Sequence, residues 1–476
     1  MISSLKNRLG YNKLDGDFRE LLSHSKNYLS ANVFLKGLSF LTIPIFTRLL
    51  APSDYGYISV FSTLTNIFSI LFILGADGAL YRYYFEKKDD FFSFMGTNFI
   101  FLVFADAVFV ILLLLFKDVI ISFFSLEWEL YFYAIIASLM SIPFLFLLNY
   151  YQCSLKSRTY SILNIIKYSS ITVLAIVFIL LMKEKLYLGR VYGELLVGLI
   201  LAVFALVVIV KYSRFHFDFK YIKYTLLFGI PLLPGALSQF VLNFFDRLII
   251  NQVNGENEVG LYSFAFNIGM VMNTFVMGMN QSWAPLFYDR LKNEKNSEIH
   301  SLSPKYVNII FSVAIILILF SREIVFVMGE KRYHEALNII PVVMLGYVFI
   351  FLYTLYANYA FYHKKVWQIT IFTVTSGIIS VALNYILIPR FGYKFASVSA
   401  LLSYFSLFIL HYVNVRYVLK IKELIPVRKT LVKLLLILLS IAVFYAGEYF
   451  KLNEISGIAF KLLYCPFVIY ILYKVK

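Results

Sequence analysis

The stretch TRLLAPSDYGYISVF, residues 47–61, closes a long apolar run on Arg48, breaks at Pro52-Ser-Asp-Tyr-Gly56 and then turns hydrophobic again. Much later in the chain DRLIINQVNGENEVGLYSFAF, residues 246–266, repeats the arrangement, with an apolar lead-in, Arg247, a polar break and a Gly that opens the next apolar run. Aligning Arg48 with Arg247 also pairs Ser39 with Ser238 and Thr47 with Asp246. Beyond the break, where the second loop is longer, Gly56 falls on Gly260, Ser59 on Ser263 and Tyr84 on Tyr288. A chain that makes one break twice contains two copies of one unit. How the copies are related depends on how many spans separate them.

Composition sets the solvent. Of 476 residues 61% are hydrophobic, 19% aromatic and only 15% charged, and the mean hydropathy is +0.78. A soluble globule needs roughly a quarter of its residues charged, so this is a polytopic membrane protein. Continuous apolar runs near the roughly 20 residues that cross a hydrocarbon core predict fourteen helices, at 28–50, 57–80, 91–116, 130–153, 160–182, 188–210, 224–251, 259–284, 304–322, 336–361, 366–389, 393–417, 429–447 and 456–473. Barrel strands are short and alternate in polarity, and these runs do neither.

Six helices separate the two breaks. An even number keeps both copies in the same orientation, related by an axis along the membrane normal. The predicted fold is therefore all-α, with two six-helix lobes related by a pseudo-two-fold axis and two further C-terminal helices. The corresponding regions are an N-terminal segment 1–27, an N-lobe 28–210, a linker 211–223, a C-lobe 224–418 and a C-terminal pair 419–476.

The net charge of +16 would suggest nucleic acid if the cations formed a patch on a soluble domain. Here they sit in short connections: Lys6, Arg8, Lys13, Arg19 and Lys26 before the first span, then Arg82, Lys87, Lys88, Lys156, Arg158, Arg290, Lys292, Lys420 and Lys422 in alternate loops. That bias places those loops and both termini in the cytoplasm, with the Pro52–Gly56 break facing outward. The N-terminal stretch has no cleavable signal pattern, so the first span is expected to act as the insertion signal. The two cysteines, Cys153 and Cys465, lie far apart without ligand-spaced partners and support neither a disulfide framework nor a metal site.

Polar residues recur along single helix faces. On the first span Asn32, Lys36, Ser39 and Thr47 share a side; Ser59, Thr63 and Asp77 share one on the second, with Asn66 beside them. Gln239, Asn243, Asp246 and Arg247 cluster on the seventh, Ser263, Asn267, Thr274 and Gln281 on the eighth, and Thr373, Gly377, Ser380 and Asn384 on the eleventh. Such faces avoid lipid and line either a helix contact or a watery cavity. A charge at mid-bilayer costs about 2.5–3.5 kcal/mol on insertion scales, so Lys36, Lys167, Asp106, Asp246 and Arg247 each invite a functional role. Lys36 is the leading cation, followed by Lys167; both would attract phosphate. Arg190 and Glu194, one turn apart, read as an internal ion pair. Arg48, Arg82 and Arg247 also fit snorkelling to the headgroups. Adjacent Asp246 and Arg247 should not face each other on a regular helix. The histidines, including His24, His300, His334 and His363, fall mostly in loops or at helix ends. No phosphate-cradling loop, zinc-ligand spacing or nucleophile with its base is present, so no cofactor and no enzymatic activity is expected.

LKGLSFLTIPIFTRLLAPSDYGYISVFSTL with LGADGALYRYYFE, and DRLIINQVNGENEVGLYSFAFNIG, resemble the first hairpins of the two lobes in the Wzx-type flippases of polysaccharide biosynthesis, in the multidrug/oligosaccharidyl-lipid/polysaccharide exporter superfamily. The resemblance implies alternating access by two lobes around a hydrated cavity in the bacterial inner membrane. The cargo it implies is an undecaprenyl-diphosphate-linked oligosaccharide for O-antigen, capsule or exopolysaccharide assembly. Membrane lipids and the pathway's polymerase and glycosyltransferases are the implied partners, and a proton or sodium gradient the implied coupling. Substrate-side candidates are Asn32, Lys36, Ser39, Arg48, Asn66, Lys167, Asn243, Arg247, Asn267 and Gln281; ion-side candidates are Asp106 and Asp246. The competing readings are an ion-coupled exporter of another lipid or small molecule, and a membrane polysaccharide polymerase.

Overall fold

The computed structural model describes residues 16–215, 217–421, 425–450 and 454–474. Lys6, Arg8, Lys13 and Lys422 lie outside the described residues, as do the side chains of Arg19, His24 and Lys26. Among the described residues all regular structure is helical, and fourteen helices are long and apolar enough to cross a membrane.

Helix α1 (Gly16–Leu49) runs up to the first break. Helix α2 (Pro52–Ile73) starts on Pro52, whose missing N–H costs nothing at a first helical position. The Asp54 carboxylate accepts the Ala51 N–H at 3.2 Å and so occupies a donor at the helix start. The second span, expected as one helix over 57–80, is in fact interrupted. Leu74 and Gly75 both adopt left-handed backbone, with φ of 48° and 70°, and a separate α3 (Ala76–Glu86) follows. A close approach explains the break: a methyl at Gly75 would lie 2.6 Å from Gly229 Cα, and one at Gly229 would lie 2.6 Å from the Leu74 carbonyl oxygen. Only two glycines let these backbones touch.

Helices α4 (Phe91–Leu115), α5 (Lys117–Phe124), α6 (Trp128–Cys153), α7 (Ser157–Leu181) and α8 (Tyr187–Tyr212) complete the first set. The seventh span, expected as one helix over 224–251, is broken twice. It consists of α9 (Phe219–Gly229), a 3-10 turn Ile230–Leu232, α10 (Leu233–Phe240), a π turn Val241–Phe245 and α11 (Asp246–Asn254). Pro231 and Pro234 remove backbone donors at the first interruption. Then come α12 (Glu256–Lys292), α13 (Asn296–Leu319), α14 (Ser321–Met328), α15 (Ile340–Tyr362), α16 (Val366–Phe391), α17 (Phe395–Val413, continued by a π turn Asn414–Val418), α18 (Val427–Tyr449) and α19 (Glu454–Lys474). The repeat is visible in these bounds. The short helices α5 and α14 are displaced from one another by the same 204 residues that separate Ser59 from Ser263.

The chain forms two compact units. Among the described residues unit one comprises 16–42, 64–121 and 127–233, and unit two comprises 43–63, 122–126 and the described residues from 234 to 474. In unit one, Phe144, Leu147, Leu148, Ile171, Val197, Leu201 and Ala205 form a core where α6, α7 and α8 meet. A second nucleus is aromatic: Tyr83 stacks on Phe94 with centroids 3.8 Å apart, and Tyr224 packs edge-on at 5.1 Å. Such geometries add about 0.5–1.5 kcal/mol to area burial.

In unit two, α15 is the central helix, 89% of its most apolar stretch being buried. A helix apolar on every side must be enclosed by others. Across this unit the start of α2 crosses the start of α12. A methyl on Gly56 would fall on the Glu256 carbonyl and 3.1 Å from Gly260 N; one on Gly260 would fall on the Pro52 carbonyl and 3.1 Å from Gly56 N. The contact is reciprocal, as a two-fold relation between the copies requires. One turn on, the Ser59 and Ser263 hydroxyls hydrogen-bond at 2.7 Å. Both copies also cap a short helix of the other: Thr47 Oγ1 donates to the Met328 carbonyl at 2.7 Å, and Asn251 Nδ2 to the carbonyls of Phe124 and Ser125, both at 2.9 Å.

Candidate functional site

The first-span stripe has two fates. Asn32, Lys36 and Ser39 are exposed in unit one. Ser39 returns its hydroxyl to the Leu35 carbonyl of its own helix, whereas Lys36 forms no ion pair or hydrogen bond with any described residue. Space is open beside it, since a methyl at Gly37 would meet nothing within 4 Å. Thr47, by contrast, is buried and bonded to Met328 in unit two. The exposed part of the stripe is thus a cation flanked by an amide and a hydroxyl, among the exposed apolar side chains of Val33, Phe34 and Leu41.

Arg48 is exposed, but its guanidinium is used. It donates to the carbonyls of Pro44 at 2.7 Å and Val327 at 3.3 Å. Arg332 in turn donates to the carbonyls of Thr47 and Arg48. These arginines therefore neutralise helix-end carbonyls. Arg82, in α3 beyond the second span, donates to Glu86 at 2.6 Å and lies over Phe228. That hydrogen bond, with a second from Tyr224, holds the Glu86 carboxyl below its usual range.

Two further elements of unit one bear charge. The Lys167 ammonium lies 5.4 Å from the Phe144 ring centre and 5.6 Å from that of Tyr168, within electrostatic reach of Glu194 and Arg190. Arg190 and Glu194 pair at 3.8 Å, as their spacing predicts, although Arg190 Nη1 has no hydrogen-bond partner. By residue type Lys167, Arg190 and Glu194 sum to a formal charge of +1. Asp106 on α4 is 6% exposed and its Oδ1 accepts no protein hydrogen bond. Asn66 is exposed on α2.

The Asp246 and Arg247 geometry corrects the expectation from helical spacing. Their side chains do meet, with Arg247 Nη1 3.3 Å from Asp246 Oδ1 and 2.6 Å from the Asn243 carbonyl. The cause is the π turn Val241–Phe245 just before them, whose inserted residue leaves the Asn243 carbonyl free for the guanidinium. Tyr262 donates to the other Asp246 oxygen, and the guanidinium packs on Phe244, Phe266 and Tyr262. Tyr404 donates to the Leu242 carbonyl at 2.9 Å and to Asn243 Oδ1 at 3.2 Å. With 4% and 5% exposure, Asp246 and Arg247 form a closed pair and present no free charge in this conformation. Asn267 donates to the Tyr55 hydroxyl at 2.7 Å beside the Gly56–Gly260 crossing; Gln281 is exposed further along α12.

Two buried ionisable groups escaped the reading of the sequence. Lys433 on α18 is 2% exposed, with its ammonium 2.6 Å from Asn308 Oδ1 on α13. His411 on α17 is fully buried. The signal for both was available, since an ionisable residue inside an apolar run is the cue that singled out Lys36.

The fold and these residues can now be set beside known proteins. The family described as polysaccharide biosynthesis protein matches residues 26–291, and the MatE family matches residues 231–386. A protein of the Lsg locus of Haemophilus influenzae is 25% identical over 372 residues, covering 75% of this chain and 88% of that one. Among solved structures, the lipid II flippase MurJ in an inward closed conformation superposes with a TM-score of 0.69 at 16% identity, covering 94% of this chain and 98% of its own. An inward-facing multidrug resistance MATE transporter of the MOP superfamily superposes with a TM-score of 0.61 at 15% identity, covering 82% and 96%.

Proposed function

This chain belongs to the polysaccharide biosynthesis protein family, and from that premise we propose that it is a flippase for an undecaprenyl-diphosphate-linked oligosaccharide. It moves the saccharide headgroup from the cytoplasmic to the outer leaflet of a bacterial inner membrane, with both termini cytoplasmic. The observation that carries the reading is Lys36, exposed between Asn32 and Ser39 among apolar side chains and without a counter-ion among the described residues. Bringing a diphosphate through hydrocarbon strips its hydration at prohibitive cost. A strip of ammonium, amide and hydroxyl replaces part of that hydration, while the polyprenyl chain stays in lipid. Lys167, near the Arg190–Glu194 pair, offers a second positive station.

Movement in one direction requires a gradient. Protons or sodium ions are the proposed source, and Asp106 is the first acid to examine because one of its oxygens is unpartnered. Asp246, tied to Arg247 and Tyr262, must break a buried pair before it can exchange an ion. The products pass to a polymerase, and the substrates come from glycosyltransferases of the same pathway.

A deletion strain analysed for lipid-linked repeat units, with an impermeant probe reporting the leaflet, tests the reading. Accumulation on the cytoplasmic side supports flipping; outward display of unpolymerised units would point to a polymerase. Complementation with Lys36→Ala should restore less than a tenth of the outward display at equal amounts of folded protein, and Lys36→Arg most of it. Full display with Lys36→Ala removes Lys36 from the mechanism.

A further inference from the structure

The seam between α16 and α17 in unit two is polar along most of its length. Asn414 Nδ2 donates to Gln368 Oε1 at 3.1 Å, Ser406 to Ser376 at 3.2 Å and to the Ser403 carbonyl at 2.8 Å, Ser403 to the Ser399 carbonyl at 2.7 Å, and Ser399 to the Ser380 carbonyl at 3.4 Å. Asn384 ends the row, its Oδ1 without a partner. A row of serines is ordinary glue between membrane helices. The group set into this row is not.

His411 lies between the Gln368–Asn414 pair and the Ser376–Ser406 pair in helical order. It is 0% exposed, and neither Nδ1 nor Nε2 has a hydrogen-bond partner among the described residues. Its ring rests against Tyr353 of α15 at 5.6 Å and Phe372 of α16 at 5.1 Å. A neutral imidazole has one N–H and one lone pair, and here no described residue matches either. Packing does not call for the nitrogens, because a phenyl ring would fill the same space.

The surrounding charges narrow the role. No Asp or Glu occurs from Ile340 to Ile421, so α15, α16 and α17 contain no carboxylate. Tyr353 is the titratable side chain whose ring meets His411; α16 contributes Phe372 and the neutral Gln368, and α17 the neutral Asn414. The cations of this region, Lys364, Lys365, Arg390, Lys394, Arg416 and Lys420, stand at or beyond the ends of these helices, as does His363. His411 is therefore the group within these three spans whose ordinary titration range includes neutral pH.

We propose that His411 is a proton-binding site that couples a proton gradient to the transport cycle, an inference that rests on the transporter reading and supplies its coupling ion. In the conformation described here the ring is sealed from solvent. In a conformation that opens the seam to water, the imidazole lone pair takes one proton to give the imidazolium. Return to the sealed state releases that proton, with no other bond made or broken. The site follows the linkage rule that a ligand binding one state better shifts the equilibrium toward it.

The test uses the full chain in nanodiscs, without cargo, with Cys153 and Cys465 replaced by Ala. Ser376→Cys with Ser406→Cys, which meet across the α16–α17 seam at 3.2 Å as serines, holds that seam closed by a disulfide. Ring signals of isotopically labelled histidine, assigned to His411 by their loss in His411→Gln, are followed from pH 4 to 9, and proton uptake on reduction of the lock is read with an indicator dye. The expected results are a midpoint at least one pH unit higher after reduction, which is a tenfold change in proton affinity, and uptake of about one proton per chain that His411→Gln abolishes. Equal midpoints in both states, or unchanged uptake in His411→Gln, overturn the proposal. If His411→Gln does not fold, His411→Phe, which fills the same space between Tyr353 and Phe372, supplies the assignment and the uptake control. Uptake that persists while the deletion strain shows no leaflet defect upholds His411 and refutes the flippase reading.

Discussion

The crossing of α2 and α12 makes a quantitative prediction. In Gly260→Ala the new methyl would coincide with the Pro52 carbonyl and stand 3.1 Å from Gly56 N, both of them backbone atoms that no rotamer change can move aside. Non-bonded carbon contacts prefer about 3.5–4.0 Å, so the helices must separate by roughly an ångström or more. The Ser59–Ser263 hydrogen bond at 2.7 Å does not survive that separation. Overpacking of this kind costs about 1–3 kcal/mol, or roughly a 5- to 150-fold loss of the closed contact at RT of about 0.6 kcal/mol. The assay is disulfide formation between Ser59→Cys and Ser263→Cys in membranes, in a background without Cys153 and Cys465. Gly260→Ala and Gly56→Ala should each slow crosslinking by about tenfold, and by similar factors, because the contact is reciprocal. Rapid crosslinking in either variant would show that the crossing is not the tight backbone contact described, and the two-fold argument would fall with it.

Other consequences are simpler to state. Arg247→Gln should destabilise the protein by about 3–5 kcal/mol, because Asp246 is left as a buried unpaired charge; thermal unfolding in detergent reads this, and Asp246→Asn with Arg247→Gln should recover part of the loss. Asn308→Leu should cost about 1–3 kcal/mol by stranding the buried Lys433 ammonium, whereas Asn308→Leu with Lys433→Met, which removes both partners, should be close to neutral, both measured in the same assay. In the segment Lys331–Asn338, outside the spans, the Lys394 hydrogen bond holds the Glu335 carboxyl below its usual range. A lowered carboxyl stabilises the fold above its unfolded value near 4.3 and loses that contribution as pH falls through its folded value. Glu335→Gln should therefore flatten the acid limb of the stability profile by ~0.2–1 kcal/mol.

Chain order alone made the membrane architecture legible. Hydrophobic runs must match a hydrocarbon thickness, so fourteen spans follow from composition and length. The pairing of Gly56 with Gly260 and Ser59 with Ser263 identified a repeat, because each copy must turn the chain and pack its neighbour in the same way. The Arg190–Glu194 pair was legible for the same local reason, since one helical turn brings the two side chains together.

What needed the third dimension was everything decided by which backbone comes close to which. The sequence marks Gly56 and Gly260 as equivalent, and only the fold makes them touch. Gly75 ends α2 early because Gly229, distant in sequence, lies against it. Asp246 and Arg247 turn toward one another because the π turn before them breaks the regular helical period. Lys36 and Lys433 are both lysines in apolar spans, yet one is left open beside Gly37 and the other is capped by Asn308. Periodicity says which face of its own helix a residue occupies, but burial depends on what other helices bring to that face, and that information is not local.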